Sequence, residues 1–202
     1  MIYSSSYTGA SLVESVKTEL EVIPLPGDSA FTRWLSSLEQ LAWSEVIRMK
    51  RVARIPSEGG MLSLDGISVP ADEDAVCAAD VYTVYVEGTQ AMHGTAEESF
   101  LFSPETAVWH REGEKKIAIS GVRDGAEAAV VYFVRPQRRL SLSASVALPD
   151  EFIELAASRL KGEAYRAANE DVLAAKWLAD YNQRLEAFQA WCDRRRTGGG
   201  AV

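Results

Sequence analysis

Apolar positions along this chain change their period twice. In TGASLVESVKTELEV, residues 8–22, Leu12, Val13, Val16 and Leu20 recur at three- and four-residue steps, the spacing of one helical face. Ser11 followed by Glu14 fits a capping box at its start, with Thr8 as an alternative cap. IPLPG, residues 23–27, ends the helix, because two prolines and a glycine do not continue one. The clearest helix follows in DSAFTRWLSSLEQLAWSEVIRMKR, residues 28–51, with Asp28 or Ser29 as N-cap. Phe31, Leu35, Leu38, Ala42, Val46 and Met49 form one apolar stripe, the ordinary mark of a core-facing surface. Trp34, Leu41 and Trp43 widen that stripe beyond one face and leave aromatic surface for contact with another subunit. Arg48, Lys50 and Arg51 are expected to close the helix, where positive charge complements its dipole.

From about Val52 to Leu142 the period shortens to that of strands. MLSLDGISVP predicts a hairpin around Asp65-Gly66. VYTVYVEG (81–88), AVWH (107–110), KKIAIS (115–120) and AAVVYFVRP (128–136) alternate or cluster β-branched and aromatic residues, as strands do. EGTQAMHGTAEES and GVRDGAE between them are polar, glycine-bearing turns or loops. ADEDAVCAAD, residues 71–80, fits either a short helix or a loop. Some six short strands make a small antiparallel sheet or sandwich.

The helical period returns at LPDEFIELAASRLKGEAYRAANED. Pro149, Asp150 and Glu151 suit a helix start, and Phe152, Leu155, Ala156 and Leu160 follow, with Lys161-Gly162 a point of interruption or loosening. A last helix, from about Asn169 to Arg195, carries Val172, Leu173, Trp177, Leu178, Tyr181, Leu185, Phe188 and Trp191, with Asn169 as its N-cap. Alanines throughout both helices allow close approach and cost little entropy. The predicted fold class is α+β: a bundle of N- and C-terminal helices with an inserted antiparallel β module. Its parts are residues 1–51, the insertion 52–145, the C-terminal helical pair 146–196 and a flexible tail 197–202.

Composition narrows the function. The chain has 202 residues, 47% hydrophobic and 25% charged, enough for one or two domains with a core. A formal net charge of -8 does not suit a protein that coats nucleic acid by neutralising phosphates. Cys77 and Cys192 give no disulfide framework and fit a reducing compartment. Neither an apolar membrane span nor a signal-peptide pattern is present, so the expectation is a soluble protein made and used inside a cell.

Chemical motifs are missing: no glycine-rich phosphate loop, CxxC, HExxH or GxSxG. His93 and His110 lack ligand spacing, and Asp72, Glu73 and Asp74 lack the alternation of a calcium loop, so a solvated acidic loop is expected there. Cys77 and Cys192 are expected to be inert, and Glu151 with Glu154 to be helix-start acids. No catalytic, cofactor or metal residue is assigned. Arg135, Arg138 and Arg139, and Arg194, Arg195 and Arg196, fit a solvated turn and a helix C-terminus, or contact with nucleic acid or an acidic protein surface.

GDSAFTRWLSSLEQLAWSEVIR resembles the second helix of head-tail connector, or adaptor, proteins of tailed bacteriophages. ALPDEFIELAASRLKGEAYRAANEDVLAAKWLADYNQRLEAFQ resembles their C-terminal helical pair, down to a tyrosine like Tyr181. The resemblance covers residues 28–49 and 148–190 and is one of helix faces. The insertion departs from the smallest, nearly all-helical members and is similar in outline to larger ones. The resemblance implies a structural virion protein, not an enzyme, with no cofactor. Copies would form a homo-oligomeric ring, usually a dodecamer, under the portal protein at the head-tail junction, assembled in the host bacterial cytoplasm. The ring would extend the DNA channel, without specific DNA binding or membrane contact, and receive the next tail or neck component. Trp34, Trp43, Arg194, Arg195 and Arg196 are the candidate interface residues, and the polar RRRTGGGAV tail would order on docking. The competing readings are a β-sandwich module binding a glycan or peptide through Trp109, Tyr82 and Tyr85, and a hydrolase whose residues converge only in space.

Overall fold

Thr8 starts the first helix. Its hydroxyl accepts the Ser11 amide at 3.1 Å, so the orphan donors of the first turn are capped and α1 runs Gly9–Glu19. The computed structural model describes residues 3–21, 24–103 and 105–198. The chain forms two compact units, one from Met1–Ile47 and Arg138–Val202, the other from Arg48–Gln137.

The first unit is helical. α2 spans Asp28–Leu41 and continues as a wider π-helical turn over Ala42–Ile47. A short 3-10 turn, Asp150–Phe152, leads into α3, Ile153–Ala167, and α4 runs Asp171–Gly198. Phe31, Leu35 and Leu38 of α2, Trp43 and Val46 beyond it, Leu12, Val13 and Val16 of α1, and Leu155, Leu160 and Phe188 of α3 and α4 are all buried. α3 and α4 lie close because Gly162 has no side chain: a Cβ there would stand 2.8 Å from Leu178 Cγ. The expected interruption at Lys161-Gly162 is therefore a point of helix contact within an unbroken α3.

The turn between α3 and α4 is a Schellman motif. Asn169 takes the left-handed conformation (φ 60°), its amide donates to the Arg166 carbonyl at 3.1 Å, and the Glu170 amide donates to the Tyr165 carbonyl at 2.9 Å. Asn169 thus ends α3 instead of capping α4.

Two backbone strips complete this unit. The Ser5 amide donates to the Val146 carbonyl, the Val146 amide to Tyr7 and the Gly9 amide to Ala144, so residues 5–9 lie antiparallel to 144–146. Asp150 fastens the same end by accepting from Ser5 Oγ (2.6 Å), the Ser6 amide (2.8 Å) and Ser6 Oγ (2.9 Å). Those bonds, the Ser5 hydroxyl's first, hold its carboxyl below the usual carboxylate range.

At the centre of the helical unit lies a buried ion pair. Glu39, on the core side of α2, accepts from Arg139 Nε (3.0 Å) and Nη2 (2.5 Å) and from the Ala147 amide (2.8 Å). Arg139 also donates to the carbonyls of Ala144 and Ser145, at 2.8 and 2.7 Å, and its own amide donates to Ser36 Oγ. The two side chains are 4% and 3% exposed. Arg139 is therefore no solvated turn residue.

The second unit is a two-sheet sandwich. One sheet has the order β1-β8-β3-β4, formed by Lys50–Pro56, Glu127–Phe133, Val81–Val86 and Thr89–Gln90. The other has the order β2-β7-β6-β5, formed by Met61–Ser63, Lys116–Ser120, Val108–Arg111 and Met92–His93. Side chains alternate as the pleat demands: Ala128, Val130 and Tyr132 of β8 are buried, the residues between them less so. They meet Val84, Leu62, Trp109, Ile117 and Ile119 in one core.

Several expectations are corrected here. The helix of residues 28–51 stops at Ile47; Arg48 is left-handed (φ 51°), and Lys50 and Arg51 begin β1, where alternation with β8 wins over helix periodicity. Met49 leaves the stripe, its carbonyl accepting from Val134. Asp65-Gly66 makes no hairpin: Leu64–Gly66 is a 3-10 turn and β2 pairs with distant β7. The β5–β6 pair is parallel, unlike the others. α4 continues through the three arginines to Gly198, so part of the expected tail is helix, and residues 199–202 of it lie outside the described residues.

Two outcomes follow from these clasps. Arg139→Ala leaves a carboxylate buried without its partner, so it should lower the unfolding free energy by about 3–5 kcal/mol, and more than the double change Glu39→Gln with Arg139→Met, as read by urea denaturation. Asp150 has a depressed folded pKa relative to its usual 3.8, so its contribution is present above that value and is lost as pH falls through the lower folded one. Hydrogen exchange at the Ser6 amide should be faster in Asp150→Asn than in the parent at neutral pH, and the difference should vanish in strong acid.

Candidate functional site

The acidic segment 72–74 and both cysteines are engaged in structure. Glu73 is buried and ion-paired with Arg51, while Arg135 pairs with Asp80 at 2.8 Å and lies 3.9 Å from Asp74. The segment 72–74 is therefore clamped between Arg51 and the chain after β8, where a solvated acidic loop was expected. The Cys77 thiol donates to Asp80 Oδ2, and burial, then that bond, push its pKa up; burial likewise raises Cys192. Both thiols are poor nucleophiles. Among the described residues no group of three or more His, Cys, Asp and Glu side chains is placed to hold a metal ion. His93 packs edge-on against Trp109, at 4.4 Å between ring centres, and Trp109 is only 2% exposed. A ring so buried offers no stacking platform for a sugar, and Lys50 Nζ sits 3.3 Å above the Tyr82 ring.

The five candidate interface residues fall into three different environments. Trp43 is fully buried; its indole N–H donates to the Ala147 carbonyl at 2.8 Å and its ring meets Tyr3. It fills the helical core and has no surface to offer a neighbour. Trp34 is half-buried, edge-on to Phe31 at 5.3 Å. It lines a shallow cleft with Leu38, Leu41, Arg159, Glu163 and Tyr181, in which Leu41 is 47% exposed. Arg194, Arg195 and Arg196 are exposed on the last turns of α4. Arg195 stacks 3.9 Å above Trp191, which belongs to a cluster with Tyr3, Phe152 and Phe188. Arg196 pairs with Asp193.

A second surface was not legible in the sequence. An open groove of about 600 Å³ runs beside α2, lined by Arg33, Ser36 and Ser37 on one side and Arg138, Arg139 and Leu140 on the other. Arg139 of its lining is paired with the buried Glu39, which holds the returning chain against α2. Arg33 and Ser37 are exposed, and Leu140 is 95% exposed. The sequence carried one signal, the hydrophilic spacing Ser29, Thr32, Arg33, Ser36 and Gln40 on the side of α2 opposite to its apolar stripe.

The α3–α4 turn presents the reverse chemistry. Glu170 and Asp171 are exposed, and Val172 beside them is 84% exposed. The Schellman bonds fix their backbone. Helix spacing alone had placed Val172 with the apolar face of α4; the turn that starts the helix directs it outward.

The arrangement therefore exposes apolar side chains beside fixed charges. No helix among the described residues is long and apolar enough to cross a membrane. The family model described as SU10 adaptor protein matches residues 7–202. No curated protein matches the chain.

The two tryptophans of the second helix should separate in a urea melt. Trp43→Ala removes a fully buried ring and should cost about 3–5 kcal/mol. Trp34→Ala removes a half-buried ring and should cost about 1–2 kcal/mol, leaving the helical circular dichroism intact. Equal losses for the two would show that Trp34 is core.

Proposed function

We propose, from the premise that this chain belongs to the SU10 adaptor protein family of phage head-tail adaptors, that its copies form a ring at the head-tail junction of the virion. The ring sits under the portal protein, extends the DNA channel and receives the next tail or neck component. The observation that carries this reading is the reach of the family match, residues 7–202, which takes in the β-rich unit as well as the helices. The family is structural, and its members act by contact with other capsid and tail proteins.

The geometry supports the same reading. Ring subunits meet through two different patches, head to tail, which requires more interaction surface than a monomer hides. This chain exposes Leu140, Val172, Leu101 and Val52 by 95%, 84%, 82% and 62%. β1 stands at the end of its sheet with seven residues, an edge open to pairing with another chain. Trp34 with Leu41, and Arg194, Arg195 and Arg196 on α4, are further contacts in this proposal; Trp43 is not. A net charge of -8 disfavours adhesion to DNA phosphate and so suits a wall along which DNA slides.

The test is a tagged pull-down of the full chain from lysate of its native source, with the eluate imaged by negative-stain electron microscopy. Rings, portal-sized assemblies or tailed particles are expected. A lone 22.1 kDa species with no large partner would overturn the proposal.

A further inference from the structure

We propose that the groove beside α2 is the receiving half of a contact between two copies of this chain, and that the α3–α4 turn of the next copy is what enters it. The inference rests on the reading that copies associate, and it names the two surfaces that meet.

The groove sets the chemistry of its occupant. Arg33 projects from α2 with no hydrogen bond or ion pair among the described residues, although the chain carries more acids than bases. Arg138 stands across the groove, and Leu140 at its lip is the most exposed large apolar residue described, at 95%. A fitting partner carries carboxylates for a guanidinium fork and an apolar side chain for Leu140. Bare phosphate lacks the second, and the acidic chain as a whole repels a polyanion.

The α3–α4 turn carries that combination in three consecutive residues. Glu170 and Asp171 are exposed and their carboxylates take no partner among the described residues. Val172 follows, 84% exposed, second only to Leu140 among the large apolar residues. The turn is rigid, since the Asn169 and Glu170 amides are both bonded back to α3, so little ordering is needed on docking. Groove and turn are different patches of one unit. A contact between them is heterologous and repeats from copy to copy, and it closes into a ring where the rotation between copies closes.

The experiment uses two full-length, differently tagged chains, one Leu140→Cys and the other Val172→Cys, mixed and mildly oxidised while sedimentation velocity follows association. The mixed pair should give covalent heterodimer at least about tenfold above same-site mixtures and the parent with its native Cys77 and Cys192. Arg33→Asp in the first chain should lower that yield by about tenfold, and Asp171→Arg in the second should restore it, as expected where like charges are juxtaposed and then relieved. Copies that associate without this cross-link overturn the groove-and-turn contact and leave the ring reading standing. No association and no cross-link overturn it too, and the ring reading then depends on the particle images alone. If the parent is retained on duplex DNA at low salt and Arg33→Asp abolishes retention, the groove belongs to phosphate and the inference is wrong.

Discussion

The helical unit depends on one carboxylate. Glu39 collects a bidentate arginine and a backbone amide in a place where water does not reach. A buried ion pair gives little net stability, because desolvation of both charges offsets their attraction. Its effect here is positional. Leu, Val and Ala can slide past one another at small cost, whereas a guanidinium that must meet one carboxylate and two carbonyls has a single register. That register fixes where the chain, after ninety residues of β structure between Ile47 and Arg138, rejoins α2. The same segment then pairs with residues 5–9 and receives the Trp43 indole at Ala147. The N-terminus, α2 and the approach to α3 are located by this one clasp.

Other polar groups follow the same pattern. Lys161, 5% exposed, lies within the helices, paired to Glu19 at 2.6 Å and 4.3 Å above the Trp177 ring. Asp180 accepts from Ser158 Oγ and from Arg184 Nε, and these bonds hold its carboxyl below the usual range. In the sandwich, Arg51 and Arg135 hold the 72–80 segment through Glu73 and Asp80. Each of these charges specifies where a backbone goes. Within each unit the pairs made by Glu39, Lys161, Arg51 and Arg135 join segments that are distant in sequence.

The elements themselves were largely legible, because periodicity is a local property. The stripe of Phe31, Leu35 and Leu38, the alternation of β8 and the helix pair after Pro149 are all written at spacings of two, three or four residues. What escaped was non-local. Lys50 and Arg51 continue a helical pattern until β8 arrives to pair with them. Asp65-Gly66 has hairpin chemistry, yet β2 finds β7 some fifty residues later. Trp34 and Trp43 flank the apolar stripe on opposite sides of a helical wheel; Trp43, within the π-turn over Ala42–Ile47, is the one that lies fully in the core. The role of Glu39 is hidden in the sequence for a related reason. The residue keeps step with Leu35, Ala42 and Val46 on the buried face, and an acid in that position is a sign that a buried base must exist elsewhere. The resemblance to phage adaptors rested on the helices, while the family match takes in the β unit as well.

The division of labour between buried charge and exposed apolar surface suits a structural adaptor. A protein that joins larger bodies has to present surfaces at fixed positions, and fixed positions come from rigid backbone. The clasp at Glu39 places Leu140, and the Schellman turn at Asn169 places Val172. Neither residue is explained by the stability of the monomer, since both stand almost wholly in water. Each sits at the end of a device that makes its location certain, and each is flanked by charge of the opposite sign to the other's. In the proposed contact these two positions, each fixed by buried bonds of its own unit, are the ones that a neighbouring copy would cover.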